Sequence, residues 1–170
     1  MVIHGAFTPA GYDCGMREYE KWHTDPKEDG GNGWPRVGYV YSIRRNGDLE
    51  IVDKTPLRYH CRGQNDVAFG VCLAGGKGSD GEWEDNYTSE QMQTLDALVN
   101  EVYPDRPVYF HHELDSERLC PGISGTAEDA FRVHEDEPGE SIPVNFQGEV
   151  LSALLSIEDL LRKIEGNQRK

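Results

Sequence analysis

The sequence predicts an α/β protein with a single mixed central β-sheet flanked by helices. A near-continuous apolar run at 67–73 is typical of a strand buried on both faces. β-Branched and aromatic residues at 37–43 connect to residues 49–52 through Asn46-Gly47, which indicates a hairpin. Two further segments carry apolar residues on one helical face. This mixture of strands and helices favours one sheet covered by helices.

The elements are predicted in the order β-α-β-β-β-α-β-α. Residues 2–4 form the first strand, and apolar positions at three-residue steps predict a helix after Gly15 (Met16, Tyr19 and Trp22). A loop rich in Gly, Asp and Pro at 25–34 then leads into the hairpin. Residues 88–91 match a capping box and begin a long helix, which ends before Pro104. A strand at 108–111 and a short helix reaching Val133 complete the domain.

Residues 1–133 are therefore expected to form one domain, followed by an acidic linker at 134–146 and an amphipathic helix at 147–170. The apolar positions of this last helix are spaced 4-3-4-3 (Val150, Leu154, Ile157, Leu161 and Ile164). The apolar stripe is wide and spans little more than two heptads, which favours docking onto a globular surface. Self-association through the helix is the alternative.

The charge of the chain excludes several classes of partner. Seventeen basic and 31 acidic residues give a net charge of −14. A negative field of this kind repels phosphate backbones and anionic lipids, so neither nucleic acid nor a membrane surface is an expected partner. The N-terminus lacks the basic and apolar regions of a signal peptide, so synthesis in the cytoplasm is expected. Four irregularly spaced cysteines without a CxxC motif predict no disulfide framework.

Three residues form the strongest candidate metal site. His4 and His111 each end a predicted strand, and Cys120 begins a Pro-Gly turn nine residues after His111. Two imidazoles and one thiolate, with a fourth position open, form a known catalytic zinc set. The spacing by itself is weak support, because a chain with 6 His and 4 Cys offers many such triples. Unrelated loop and core residues are the alternative reading.

The first 125 residues resemble, in order, the type-2 N-acetylmuramoyl-L-alanine amidases, a family that includes phage amidases and the peptidoglycan recognition proteins. The resemblance rests on colinear motifs: Ile3-His4-Gly5-Ala6-Phe7-Thr8, Trp22-His23, Val37-Gly38-Tyr39, Ile43-Arg44-Arg45-Asn46-Gly47, Gly70-Val71-Cys72-Leu73-Ala74-Gly75-Gly76, His111-His112-Glu113 and Cys120-Pro121-Gly122. Two positions depart from the family pattern. Val40 stands where relatives commonly carry histidine, and Ala68 where they often carry serine.

The resemblance implies one Zn²⁺ per chain, with His4, His111 and Cys120 as its ligands. His112 is the alternative to His111, because it lies eight residues before Cys120, the separation usual in the family. If the strand continued through this pair, the two side chains would point to opposite faces of the sheet.

The resemblance also implies three catalytic residues. Tyr39 matches a family tyrosine whose hydroxyl faces the zinc-bound water. Arg118 falls where phage relatives place a lysine, and a cation there can stabilise an oxyanion. His60 matches a cleft histidine that acts in catalysis or only orients substrate or water.

The implied activity is hydrolysis of the lactyl-amide bond between muramic acid and L-alanine in bacterial peptidoglycan, as in a phage endolysin that reaches the wall after release from the host cytoplasm. The alternative is a non-catalytic peptidoglycan-binding module of the same fold. Such modules typically lack the cysteine ligand, so Cys120 favours catalysis.

Overall fold

The structure is a computed structural model and describes residues 1–52 and 59–132. The predicted linker at 134–146 and helix at 147–170 lie outside the described residues, so the domain boundaries stay predictions. No helix of the described part is long and apolar enough to cross a bilayer.

Seven strands and four α-helices make up this part of the chain. The strands are β1 (Val2–Gly5), β2 (Thr8–Pro9), β3 (Tyr41–Ile43), β4 (Leu49–Ile51), β5 (Gly70–Leu73), β6 (Gly76–Lys77) and β7 (Tyr109–Phe110). The helices are α1 (Met16–Thr24), α2 (Ser89–Ala97), α3 (His111–Leu114) and α4 (Ala127–Phe131). A 3₁₀ turn follows α1 at Lys27–Asp29, and a π turn at Leu98–Val102 extends α2.

Five strands form one mixed sheet in the order β4-β3-β5-β1-β7, which confirms the predicted fold class. The β3–β4 hairpin is antiparallel, whereas β3, β5, β1 and β7 run parallel to one another. Gly47 at the hairpin turn has a φ of +85°, whereas Asn46 is not left-handed, and the Gly47 N–H donates to the Arg44 carbonyl at 2.9 Å. The connection is therefore a type I turn followed by a left-handed glycine. The strands β2 and β6 pair in a separate two-stranded sheet.

Helices cover both faces of the sheet. Neighbouring residues of β5 point to opposite sides and all are buried, so both faces need a packing partner. Val71 and Leu73 pack with α2 and its extension in the larger core cluster. Cys72 packs on the other face with α1 in a second cluster. A fully buried Gln91 fixes α2 to the sheet, since its amide nitrogen donates to the carbonyls of Ile43 and Ala74 at 3.0 and 2.9 Å.

Three predicted strands are clearly shorter than the sequence indicates. The segment at 37–43 enters the sheet only at Tyr41. The run at 67–73 enters the sheet only at Gly70, and Val67 is 73% exposed. Strand β7 ends at Phe110, and His111 begins α3 instead of ending the strand. Apolar character sets the centre of each strand, but the point where backbone pairing stops depends on the neighbouring strand.

Candidate metal centre

Two histidines and one cysteine converge at the carboxyl edge of the parallel strands. His4 lies on β1, His111 is the first residue of α3, and Cys120 lies in the loop after α3. One ligand atom from each of these three residues lies within 4.8 Å of the other two. Within residues 1–52 and 59–132, no other group of three His, Cys, Asp or Glu side chains meets this spacing.

The sheet register brings the two histidines together. Strand β1 runs parallel to β7 with Ile3 opposite Phe110, so the next residue of each chain emerges at the same edge. The rings of His4 and His111 consequently lie 4.5 Å apart between centroids. Two hydrogen bonds hold Cys120 beside these histidines. The Gly5 N–H donates to its Sγ at 3.3 Å, and the His112 N–H donates to its carbonyl at 2.9 Å.

The protonation states of these residues suit a soft divalent metal. Burial lowers the pKa of His4 and of His111, so both imidazoles are neutral at pH 7 and each has a bare nitrogen. Burial raises the pKa of the Cys120 thiol to about 12, although the Gly5 N–H and Arg118 each lower this pKa. A thiol in this setting needs a cation to become a thiolate. Two imidazole nitrogens and one sulfur are a donor set that fits zinc.

A hydrogen-bond chain determines which nitrogen of His4 faces the cluster. The Ala68 carbonyl can only accept, so His60 donates to it from Nε2 at 3.0 Å. Burial also lowers the pKa of His60, and the neutral ring therefore has a bare Nδ1. That atom accepts from Nε2 of His4 at 3.1 Å. The bare Nδ1 of His4 is left facing Sγ of Cys120 at 3.9 Å.

The neighbouring His112 lies outside this cluster. Its Nδ1 is 3.3 Å from the Cys120 carbonyl and its Nε2 is 3.1 Å from the Gly125 carbonyl. Because the pair begins a helix, strand alternation was the wrong reason for separating the two side chains. Rotation of about 100° per helical residue turns His111 and His112 in different directions instead. Which of the two binds metal stays a prediction.

A cavity of about 350 Å³ opens above the three candidate ligands. All six residues predicted for the site line it (His4, Tyr39, His60, His111, Arg118 and Cys120). The ring of Tyr39 lies 5.2 Å from that of His4, and burial together with the nearby thiols raises its pKa, so the hydroxyl keeps its proton. Arg118 is mostly exposed, and its Nε lies 3.5 Å from Asp115.

Residues that sequence reasoning did not select complete the wall. Trp83, Glu117 and Leu119 line the cavity. Phe7 also lines it, although the sequence analysis names Phe7 only within a family motif and assigns it no role. Trp83 belongs to an acidic, glycine-rich loop, where a single large aromatic residue is the available signal. Phe7 has a φ of +54°, which no sequence pattern indicates for a phenylalanine.

The fold and the site define a mixed α/β protein with a candidate His-His-Cys metal centre at the edge of its sheet. Over residues 1–123 the sequence matches the N-acetylmuramoyl-L-alanine amidase family, and the chain belongs to that family. It is 36% identical over 127 residues to the endolysin of Klebsiella phage KP32, covering 72% of this chain and 80% of that protein. It is 35% identical over 125 residues to the endolysin of Enterobacteria phage K11, covering 71% and 78%.

A solved structure supports the same fold. The N-acetylmuramoyl-L-alanine amidase LysC from Clostridium intestinale URNW superposes with a TM-score of 0.56 at 22% identity. The match covers 76% of this chain and 79% of LysC. The resemblance drawn from the motifs, to the type-2 amidase and recognition-protein fold, is thereby confirmed.

Proposed function

We propose that the protein is a zinc-dependent N-acetylmuramoyl-L-alanine amidase that acts as a phage endolysin. It would hydrolyse the amide between the lactyl group of muramic acid and L-alanine, and its substrate would be the peptidoglycan of the bacterial wall. The observation that carries the proposal is the convergence of His4, His111 and Cys120 in one cavity of a chain that belongs to this family.

The three candidate ligands would hold the metal through Nδ1 of His4, one imidazole nitrogen of His111 and the sulfur of Cys120. When bound, zinc supplies a Lewis acid that polarises the amide carbonyl and lowers the pKa of a water molecule. Gly5 and its hydrogen bond to Cys120 keep the sulfur in place. A purely structural site would close its fourth position, whereas this cluster opens into a cavity.

Tyr39 and Arg118 stabilise negative charge on the oxygen of the attacked carbonyl. The raised pKa of Tyr39 keeps its hydroxyl protonated, so it donates a hydrogen bond at neutral pH. Arg118, which also lines the cavity, adds a permanent positive charge. Both groups act most strongly when the carbonyl oxygen carries its greatest charge, which favours the transition state over the substrate.

His60 is a positioning residue in this proposal, and not a proton-transfer residue. Both of its ring nitrogens are already engaged, by the Ala68 carbonyl and by His4. It orients the His4 ring and presents the bare Nδ1 to the cluster, as hydrogen-bonded partners of metal-binding histidines commonly do. The expected catalytic contribution of His60 is therefore exerted through His4.

The proposal is tested on the purified full-length chain with isolated peptidoglycan. Digestion should release new alanine amino termini without new reducing sugars; a chelator should abolish the release and added zinc should restore it. Release of reducing sugars would indicate a glycosidase. Binding to peptidoglycan without any cleavage would indicate the non-catalytic module.

A further inference from the structure

The cavity has an aromatic and apolar rim that no step of the proposed reaction uses. Phe7, Trp83 and Leu119 line it together with the candidate ligands, and the residues Phe7 and Leu119 are 37% and 63% exposed. We propose that Phe7 and Trp83 form a subsite that stacks a pyranose ring of the glycan, on the sugar side of the scissile bond. This inference rests on the proposed function and names the part of the substrate that the rim binds.

The backbone of Phe7 is held in an unfavourable conformation. Its φ of +54° is the left-handed region, and among the described residues no other non-glycine residue has a positive φ. A bulky side chain is disfavoured there. Glycine would avoid this cost. A strained residue that displays an aromatic ring three positions after His4 is typical of a binding site.

Three glycines from separate segments form the floor on which Trp83 lies. A Cβ atom at Gly5, Gly76 or Gly122 would stand 2.9, 2.9 or 3.2 Å from a carbon of the indole ring. Gly76 and Gly122 also have positive φ, but Gly5 does not. At Gly5 the close approach of Trp83 and of Tyr87 is therefore what requires glycine. This packing fixes the indole beside the segments that carry His4 and Cys120.

The two rings form one fixed unit. Their centroids are 4.6 Å apart with an interplanar angle of 43°. The Nζ atom of Lys77 lies 5.2 Å from the centroid of the Phe7 ring, a cation–π contact that holds this ring in place. Lys77 also pairs with Trp83 through an isolated antiparallel bridge, so backbone and side-chain contacts link all three residues. A preorganised aromatic surface binds a ligand at a low cost in conformational entropy.

The distribution of charge around the cavity distinguishes sugar from peptide. A second cavity of about 500 Å³ is lined by Arg62, Asp115 and Glu117, and Glu117 also lines the first cavity. This charged cavity suits the carboxylate and amine groups of a stem peptide. A pyranose instead presents a face of C–H groups bordered by hydroxyls, which matches aromatic rings with an ammonium group nearby. The aromatic rim is therefore assigned to the sugar.

Phe7→Gly is the appropriate test variant, because glycine accepts the positive φ and the fold should be retained. Initial rates would be measured on a disaccharide-tripeptide and on the sugar-free lactyl-tripeptide with the same scissile amide. We expect Phe7→Gly to raise KM for the disaccharide-tripeptide about three- to tenfold, the range of one aromatic contact, and to leave the lactyl-tripeptide unchanged. Tyr12→Ala, which removes an exposed ring outside the cavity, should change neither.

Equal effects of Phe7→Gly on the two substrates, or no effect on either, would overturn the subsite. A second measurement does not depend on catalysis: titration of the wild-type chain with peptide-free disaccharide should shift the indole N–H resonance of Trp83, and the absence of a shift overturns the subsite. If the wild type hydrolysed neither substrate but the indole shifted, the proposed amidase activity would fail while the sugar site stood.

Discussion

The candidate metal centre combines a proposed ligand on the central sheet with a proposed ligand on a loop, and the two side chains are held by different means. His4 is 1% exposed on β1, which pairs with strands on both sides. Cys120 is also buried, but single contacts fix its loop: Gly5 to its sulfur, His112 to its carbonyl, and the Tyr87 hydroxyl to the Pro121 carbonyl at 2.6 Å. The sheet supplies rigidity, whereas the loop can vary in length without disturbing the core.

The largest expected effect compares these two ligands directly. His4→Ala and Cys120→Ser should both abolish zinc binding and amidase activity, since each removes a proposed ligand. In the metal-free proteins only His4→Ala should lower the free energy of unfolding substantially, by about 2 kcal/mol or more, because it opens a cavity in the sheet and unpairs His60. Metal analysis and urea unfolding measure the two effects. Stoichiometric zinc in either variant would remove that residue from the ligand set.

Variants of His111 and His112 test which residue after β7 is the second histidine ligand. His111→Ala should abolish zinc binding, whereas His112→Ala should retain it with a modest loss of stability, because it removes contacts to the Cys120 and Gly125 carbonyls. Zinc content of the two purified variants decides between them. The opposite result would place the ligand one residue later, at the family's usual separation from Cys120.

Tyr39 tests the proposed chemistry without changing a ligand. Tyr39→Phe should keep zinc and the fold but lower kcat by roughly ten- to a thousand-fold, the range for loss of one donor to a developing oxyanion. The matched variant Tyr12→Phe, outside the cavity, should keep full activity. Wild-type turnover by Tyr39→Phe would make Tyr39 a packing residue only.

Acid should destabilise the region around Tyr39 through His23. This buried ring accepts a hydrogen bond from the Gly38 N–H at 2.9 Å, and burial lowers its pKa from 6.5 to about 4. The unfolded chain therefore binds a proton that the folded chain excludes, so stability falls as the pH is lowered from 6.5 to 4. His23→Gln should reduce this loss by about 3 kcal/mol. Urea unfolding of both metal-free proteins from pH 7 to 4 measures the difference; identical slopes would show that His23 does not contribute.

The sequence predicts the sheet better than it predicts the cavity wall. The Asn-Gly hairpin and the capping box at Thr88 are local signals, and the structure shows both. The end of β7 was misplaced because the turn into α3 has no apolar signature. Three of the six predicted site residues (His4, His111 and Cys120) are also indicated by residue type and position, whereas Tyr39, His60 and Arg118 came from the family resemblance alone, and all six line the cavity. Trp83 was missed because its position depends on glycines distant in sequence.

The hydrogen-bond chain from Ala68 to His4 has a consequence for how this site tolerates mutation. Its first group is a main-chain carbonyl, which every amino acid supplies. Exchanging the side chain at position 68 therefore leaves the chain of bonds intact, provided that the backbone keeps its path. Alanine can stand here where relatives often carry serine without altering the tautomer of His4. The orientation of His4, a proposed metal ligand, is thus insensitive to substitutions at position 68. It depends instead on a single side chain, that of His60.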